Sequence, residues 1–154
     1  MSSRREAGQI NSKDAKDLGV WTEHAQMPNG ERRFRLKNTD GTAYIRTEAT
    51  DNSGWQKSHY HKSVQETYIV QNGQMVLAEW IDEKLRIRIF GPNEIVTTQP
   101  NIPHNVYLFG KAIIHTVKHG DESEISDCHV FPALDEETLH LKEADIVRLA
   151  SKNT

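Results

Sequence analysis

Residues 54 to 73 read GWQKSHYHKSVQETYIVQNG. His59 and His61 stand one residue apart, Glu66 follows, and Asn72-Gly73 closes the stretch. In an extended chain successive side chains point to opposite faces, so the two imidazoles share a face and Tyr60 points away. Glu66 lies five residues beyond His61, an odd number. One unbroken strand would put it on the wrong side. The spacing therefore predicts a turn or bulge within Lys62-Ser63-Val64-Gln65. Beyond that break Glu66, Tyr68 and Val70 share a face that can meet the histidines across a hairpin. Asn-Gly is the strongest two-residue hairpin signal, so "QNGQ" (71–74) is expected to turn "ETYIV" (66–70) back onto "MVLAEWI" (75–81).

Outward from this stretch the β pattern continues on both sides. "RFRLK" (33–37), "TAYIRTEAT" (42–50), "LRIRIF" (85–90), "IVTT" (95–98), "NVYLF" (105–109) and "AIIHTVKH" (112–119) are short apolar or alternating runs. The segments "NTDG" (38–41), "DNSG" (51–54), "DEK" (82–84), "GPNE" (91–94) and Gly110-Lys111 separate them with turn chemistry. About nine short strands so spaced predict an all-β sandwich or barrel and argue against a parallel α/β sheet. Residues before about 31 are polar and weakly patterned, apart from a short helix predicted from Asn11 to Leu18 with Gly19 as its stop. "DEETLHLKEADIVRLASK" (135–152) is expected to be one C-terminal helix, acidic at its start and basic at its end.

A fourth ligand type suits the opening stretch. "TTQPNIPHNVY" (97–107) holds His104 directly after Pro103, with Pro100 upstream, and fixed proline φ angles make a stiff approach to the imidazole. Three histidines and one carboxylate suit Mn, Fe, Co, Ni, Cu or Zn better than the oxygen-seeking Ca or Mg. An octahedral ion on four such ligands keeps two positions open, the layout of a catalytic site.

These residues resemble a known family, the small single-domain cupins. Gly54, His59, His61, Glu66 and Gly73 match the family's first motif, and Gly91, Pro100 and His104 its second. The glycine usual between the second motif's proline and histidine is absent here, and Asn105 follows His104 directly. The resemblance covers roughly residues 42 to 119. It implies a jelly-roll β-barrel (a double-stranded β-helix) with one divalent first-row transition metal in its mouth, held by His59, His61, Glu66 and His104. It also implies a homodimer, since many members are dimers.

Three further residues are pocket candidates. Tyr68 shares the face of Glu66, where a phenol can donate a proton or simply pack as a wall. Arg46 can grip an anion in bidentate fashion or lie on an outward polar face with Tyr44 and Glu48. His115, between Ile113 and Val117, is either a pocket residue or a satisfied core histidine. Cys128 is expected to be a small packing residue, and Trp55 and Trp80 packing or interface residues.

Composition bounds the rest. The 154 residues predict one domain, 1–154, with a barrel core from about 33 to 131. Nineteen Lys and Arg against 22 Asp and Glu give a net charge of −3, a poor base for binding nucleic acid. One cysteine excludes a disulfide within the chain, and no apolar run approaches the roughly 20 residues of a membrane helix. A cytoplasmic protein that binds a small molecule, with no nucleic-acid or membrane partner, is the expectation. Three functions compete: a metal-dependent enzyme acting on a small polar molecule (an oxygenase, isomerase or lyase), a metal-free isomerase or epimerase of nucleotide-linked sugars using histidine acid/base chemistry, and a non-enzymatic ligand-binding module. "SHYHK" also looks similar to the His-x-His-Lys stretch of the cupin-like ketoisomerases, which carries the second of these.

Overall fold

Two long antiparallel strands organise the chain, β5 (Gln65–Ile81) and β8 (His104–His119), paired along almost their whole length. The computed structural model describes residues 7–120 and 127–152. Both strands bend midway, and each half serves a different wing of a curled sheet. The first half of β5 pairs with the second half of β8 and, on its other edge, with β7 (Ile95–Thr97). This wing continues from β8 through β3 (Ala43–Glu48) and β2 (Arg32–Asn38) to β1 (Val20–Gln26). The second half of β5 pairs with β6 (Lys84–Phe90) and with the first half of β8. That wing ends in two short strands, β4 (His59–Tyr60) and β9 (His129–Val130).

The bend corrects the reading of Asn72-Gly73. It is not a hairpin turn but a bulge inside β5, with register shifts between Val70 and Asn72 and between Asn72 and Gln74. "ETYIV" and "MVLAEWI" are therefore two halves of one strand, as are "NVYLF" and "AIIHTVKH". The physical reason is a close approach of backbones. Gly73 sits at φ 71°, and a Cβ placed there would lie 2.7 Å from Ala112 Cα. The glycine thus serves the crossing of two bent strands. The tight two-residue turn falls instead at Asp82-Glu83, between β5 and β6, where both residues take positive φ (51° and 60°) without a glycine.

The apolar pattern explains the layering. Tyr68, Val70, Met75, Leu77, Val106, Leu108, Ala112 and Ile114 form the core between the wings. Val76 and Ala78 point the other way, into a second cluster with Trp55, Ile87 and Ile146. Both faces of this part of β5 are covered, which is why "MVLA" reads as an unbroken apolar run. Trp55 packs there as expected, and its indole donates to the Leu141 carbonyl at 3.2 Å.

The cover on that face is helical, and it is not one helix. Leu139 to Lys142 separate α2 (Pro132–Thr138) from α3 (Glu143–Lys152). Pro132 opens α2 rather than standing upstream of it. Leu134 and Thr138 anchor α2, whose Thr138 hydroxyl accepts from Asn105 Nδ2, whereas Ile146 buries α3 against the second cluster. The break lets each helix seat its own anchor on a curved surface, and Asp145 caps the restart through the Lys142 N–H. A shorter helix, α1 (Ser12–Asp17), carries Asn11 as its N-cap and ends before Gly19 at φ 85°. The edge strand β1 lies in a region the sequence leaves unpatterned. Five of its seven residues are exposed, so no buried face marks it.

Replacing Gly73 by Ala is expected to cost at least about 2 kcal/mol, the left-handed φ and the contact with Ala112 adding together. Urea unfolding should show a lower midpoint with an unchanged slope. An unaltered midpoint would remove Gly73 from the crossing.

Candidate metal centre

Five backbone arrangements bring four side chains to one point. The β4–β8 ladder sets His59 opposite His104. His61 follows one residue beyond β4, and its carbonyl accepts from Asn101 N–H at 2.7 Å, tying it to the loop before His104. Asn101 holds φ 62° in that loop, where Pro100 and Pro103 flank it. Glu66 enters from β5, its N–H bonded to Thr98 Oγ1 and its carbonyl to Thr98 N–H. The register break required between His61 and Glu66 falls at residues 61–64, which belong to no strand.

Asp127 holds that break. Its carboxylate accepts the N–H groups of Lys62, Ser63 and Val64 at 2.9, 2.8 and 2.8 Å, and its backbone carbonyl accepts from His61 Nδ1. Burial pushes the carboxyl up, and the donors from Val64, Lys62 and Ser63 overcome this and hold it well below the usual carboxylate range. The sequence reading missed Asp127. It lies more than sixty residues away in the chain and acts on backbone groups, which leave no side-chain pattern.

Glu66 Oε1 lies 3.1 Å from His59 Nε2, 2.6 Å from His61 Nε2 and 3.2 Å from His104 Nε2. Each Nδ1 faces a backbone carbonyl, of Lys57, Asp127 and Ile102 respectively. A carbonyl only accepts, so each Nδ1 carries a proton, and in the neutral ring each Nε2 is then a lone pair aimed at a carboxylate oxygen. Lone pairs so opposed require positive charge among them, from a proton or a cation. The four ligand atoms all lie within 4.8 Å of one another. Two ligands about 2.1 Å from one ion and at right angles stand about 3 Å apart, so the observed separations fit a shared first-row ion. The carbonyl on the far nitrogen is the usual device that orients a ligating histidine.

The same geometry sets the protonation states. Burial pushes the Glu66 carboxyl up, and hydrogen bonds from His104, His59 and His61 hold it well below the usual range. Burial pushes His59 down, and the Glu66 hydrogen bond and charge more than reverse this, so its pKa is raised. Tyr68 donates to Glu66 Oε2 at 3.2 Å. Burial and the Glu66 charge push its phenol well above 10, so it remains a proton donor.

A cavity of about 180 Å³ opens on the cluster, lined by His59, His61, Glu66 and Tyr68 and by Arg33, Gln56, Thr116 and Lys118. Arg46 and His115 do not line it. They pair across the β3–β8 ladder on the outward face, where Arg46 bonds Glu48 and His115 bonds Tyr44 and Gln71. Strand alternation is the reason: Ile114 and Thr116 point inward, so His115 points out. Cys128 also departs from expectation. It is exposed at the mouth of the cavity and packs no core.

Exchanging Asp127 for Asn removes the charge that the three N–H donors face and is expected to cost about 1–3 kcal/mol at neutral pH. The folded-state pKa is depressed, so this contribution is full above the unfolded carboxylate range and fades as pH falls through it. Thermal melts from pH 7 down to 3 should therefore show the difference between the two proteins narrowing. A gap that stays constant would mean that Asp127 acts without its charge.

No protein-family model and no curated protein sequence matches the chain. Solved structures do match. A RmlC-like cupin from Shewanella frigidimarina NCIMB 400 is similar over 67% of this chain and 86% of its own, at 16% identity and TM-score 0.50. An oxalate decarboxylase of Lactobacillus farciminis, in a formate complex, is similar over 97% of this chain but 44% of its own, at 12% identity and TM-score 0.57. HppE in its Fe(II) form is similar over 64% of this chain and 56% of its own, at 13% identity and TM-score 0.51. Identities this low speak to the fold alone, and the curled antiparallel sheet with its C-terminal helices agrees with them: the chain has the fold of a small cupin.

Proposed function

We propose that the chain is a metal-dependent enzyme acting on a small polar molecule inside the barrel, with one divalent first-row transition metal held by His59, His61, Glu66 and His104. One observation carries this reading: three Nε2 lone pairs, each fixed by a carbonyl behind its ring, converge on a single carboxylate oxygen. When bound, such an ion supplies Lewis-acid or redox chemistry at its open positions. The chain's own part is to orient and to exclude. Tyr68 keeps its proton, donates a hydrogen bond to Glu66 Oε2 and so fixes that carboxylate at the cavity wall. Tyr68 also belongs to the buried core with Val70, Met75 and Leu77, so that side of the cavity is backed by apolar packing. Among the neighbours by fold, one is an Fe(II) protein and one an oxalate decarboxylase, which supports metal chemistry in this kind of barrel without choosing the reaction.

The competing metal-free reading needs a histidine free to exchange protons with a nucleotide-linked sugar. All three imidazoles here are turned to one carboxylate, which leaves none free for that role. The domain reading remains one unit over 1–154, supported by the single connected sheet. A homodimer is supported by the outward face where Phe34, Leu36, Tyr44 and Val117 are exposed side by side. A cytoplasmic setting remains part of the proposal. No helix among the described residues is long and apolar enough to cross a membrane.

Protein purified without a histidine tag should contain about one transition-metal ion per chain by elemental analysis, and His61→Ala should weaken its binding more than about a hundredfold. Metal-free protein that still turns over its substrate would sink the assignment. Metal uptake should also depend on pH. The raised His59 pKa means that the stabilising proton is held below the unfolded value and lost as pH rises through the folded one. Metal replaces that proton, so affinity should climb about tenfold per pH unit for each proton displaced. Stripped protein should lose stability over the same rise, and loaded protein should not. Calorimetric titrations between pH 6 and 8 measure the slope, and a flat profile would contradict the proton-holding cluster.

A further inference from the structure

Lys118 stands apart from the other charges of the cavity. The Arg33 guanidinium is taken up by Glu31 at 2.9 Å, a carboxylate with no exposure that also accepts from Gln56. Glu66 is engaged by the three histidines. Lys118 points inward from β8, two residues beyond Thr116, and no described carboxylate lies within ion-pair distance of its ammonium. The neighbouring Asp127 is committed to three backbone donors. A half-buried ammonium at a cavity, with no carboxylate partner among the described residues, is a site for an anion.

A second cavity, of about 280 Å³, has His59 in its lining as well. Its character is different. Met27, Pro28 and Trp55 wall it, Lys57 stands in its lining, and it shares Arg33, Gln56, His59 and Cys128 with the first. Trp55 is 8% exposed and fixed by its bond to Leu141, so the wall is preformed. His59 thus lines both the cavity that holds Lys118 and the cleft walled by Met27, Pro28 and Trp55.

We infer that the molecule bound here is a small acid with an apolar tail. Its carboxylate pairs with Lys118, its tail lies against Met27, Pro28 and Trp55, and the carbons between them pass His59. The inference rests on the reading of the cavity as a substrate site, and it adds the substrate class. Neither cavity alone requires it; the residues they share, Arg33, Gln56, His59 and Cys128, do.

Calorimetric titration with acetate, butanoate, hexanoate and hexan-1-ol tests both halves. Hexanoate is expected to bind more tightly than acetate, by about fourfold for each methylene that reaches the cleft. Lys118→Met should weaken hexanoate binding about tenfold or more, Lys118→Arg should largely restore it, and hexan-1-ol should not distinguish the three proteins. Equal hexanoate affinity in Lys118→Met and the parent, or equal affinity for acetate and hexanoate, overturns the inference, as does a parent protein that binds none of the acids. Thermal melts and metal content on the same samples separate the two proposals. If Lys118 matters in protein that takes up no metal, the metal assignment fails and this one stands. If metal binds in all three and the Lys118 variants bind hexanoate alike, the reverse holds.

Discussion

The crossing of β5 and β8 is the constraint on which the rest depends. Each strand is too long and too strongly bent to stay in one flat sheet, and each lends one half to either wing. The bend needs room between backbones at Gly73 and Ala112, where no side chain fits. With that contact made, the first half of β5 carries Glu66 and Tyr68 inward while the start of β8 carries His104 to the same end. β4 then adds His59 by pairing across from His104. The cluster is thus assembled at the wings' shared edge and not on any single hairpin.

Burying a carboxylate beside three imidazoles is costly unless positive charge joins them. The structure concentrates its orienting contacts at that point. Three carbonyls fix the far nitrogens, Thr98 fixes the Glu66 backbone, and Asp127 holds the loop that turns the chain between His61 and Glu66. Most of these contacts are made by backbone or by residues remote in sequence. A precise site is supported by groups that are chemically ordinary in themselves.

The fold class was legible because strand alternation and turn residues are local signals. So was the meeting of His59, His61 and Glu66, since two histidines of one strand face must point together and an odd spacing to Glu66 must be broken. Local signals misled where tertiary contact outweighed them. Asn72-Gly73 has the residues of a hairpin turn, yet its glycine answers to Ala112 on another strand. Leu139 to Lys142 break what reads as one helix because α2 and α3 are anchored at different places on the barrel.

The sequence by itself determined the mainly β architecture and singled out His59, His61, Glu66 and His104 as a candidate cluster, because side-chain period and residue type are written along the chain. Only the tertiary structure decided that Arg46 and His115 face outward, that Cys128 and Lys118 line the cavity, and that Asp127 holds the turn. Which face of a strand is inward, and which distant group meets a loop, depend on how strands far apart in the chain pair and bend. No local pattern encodes that pairing.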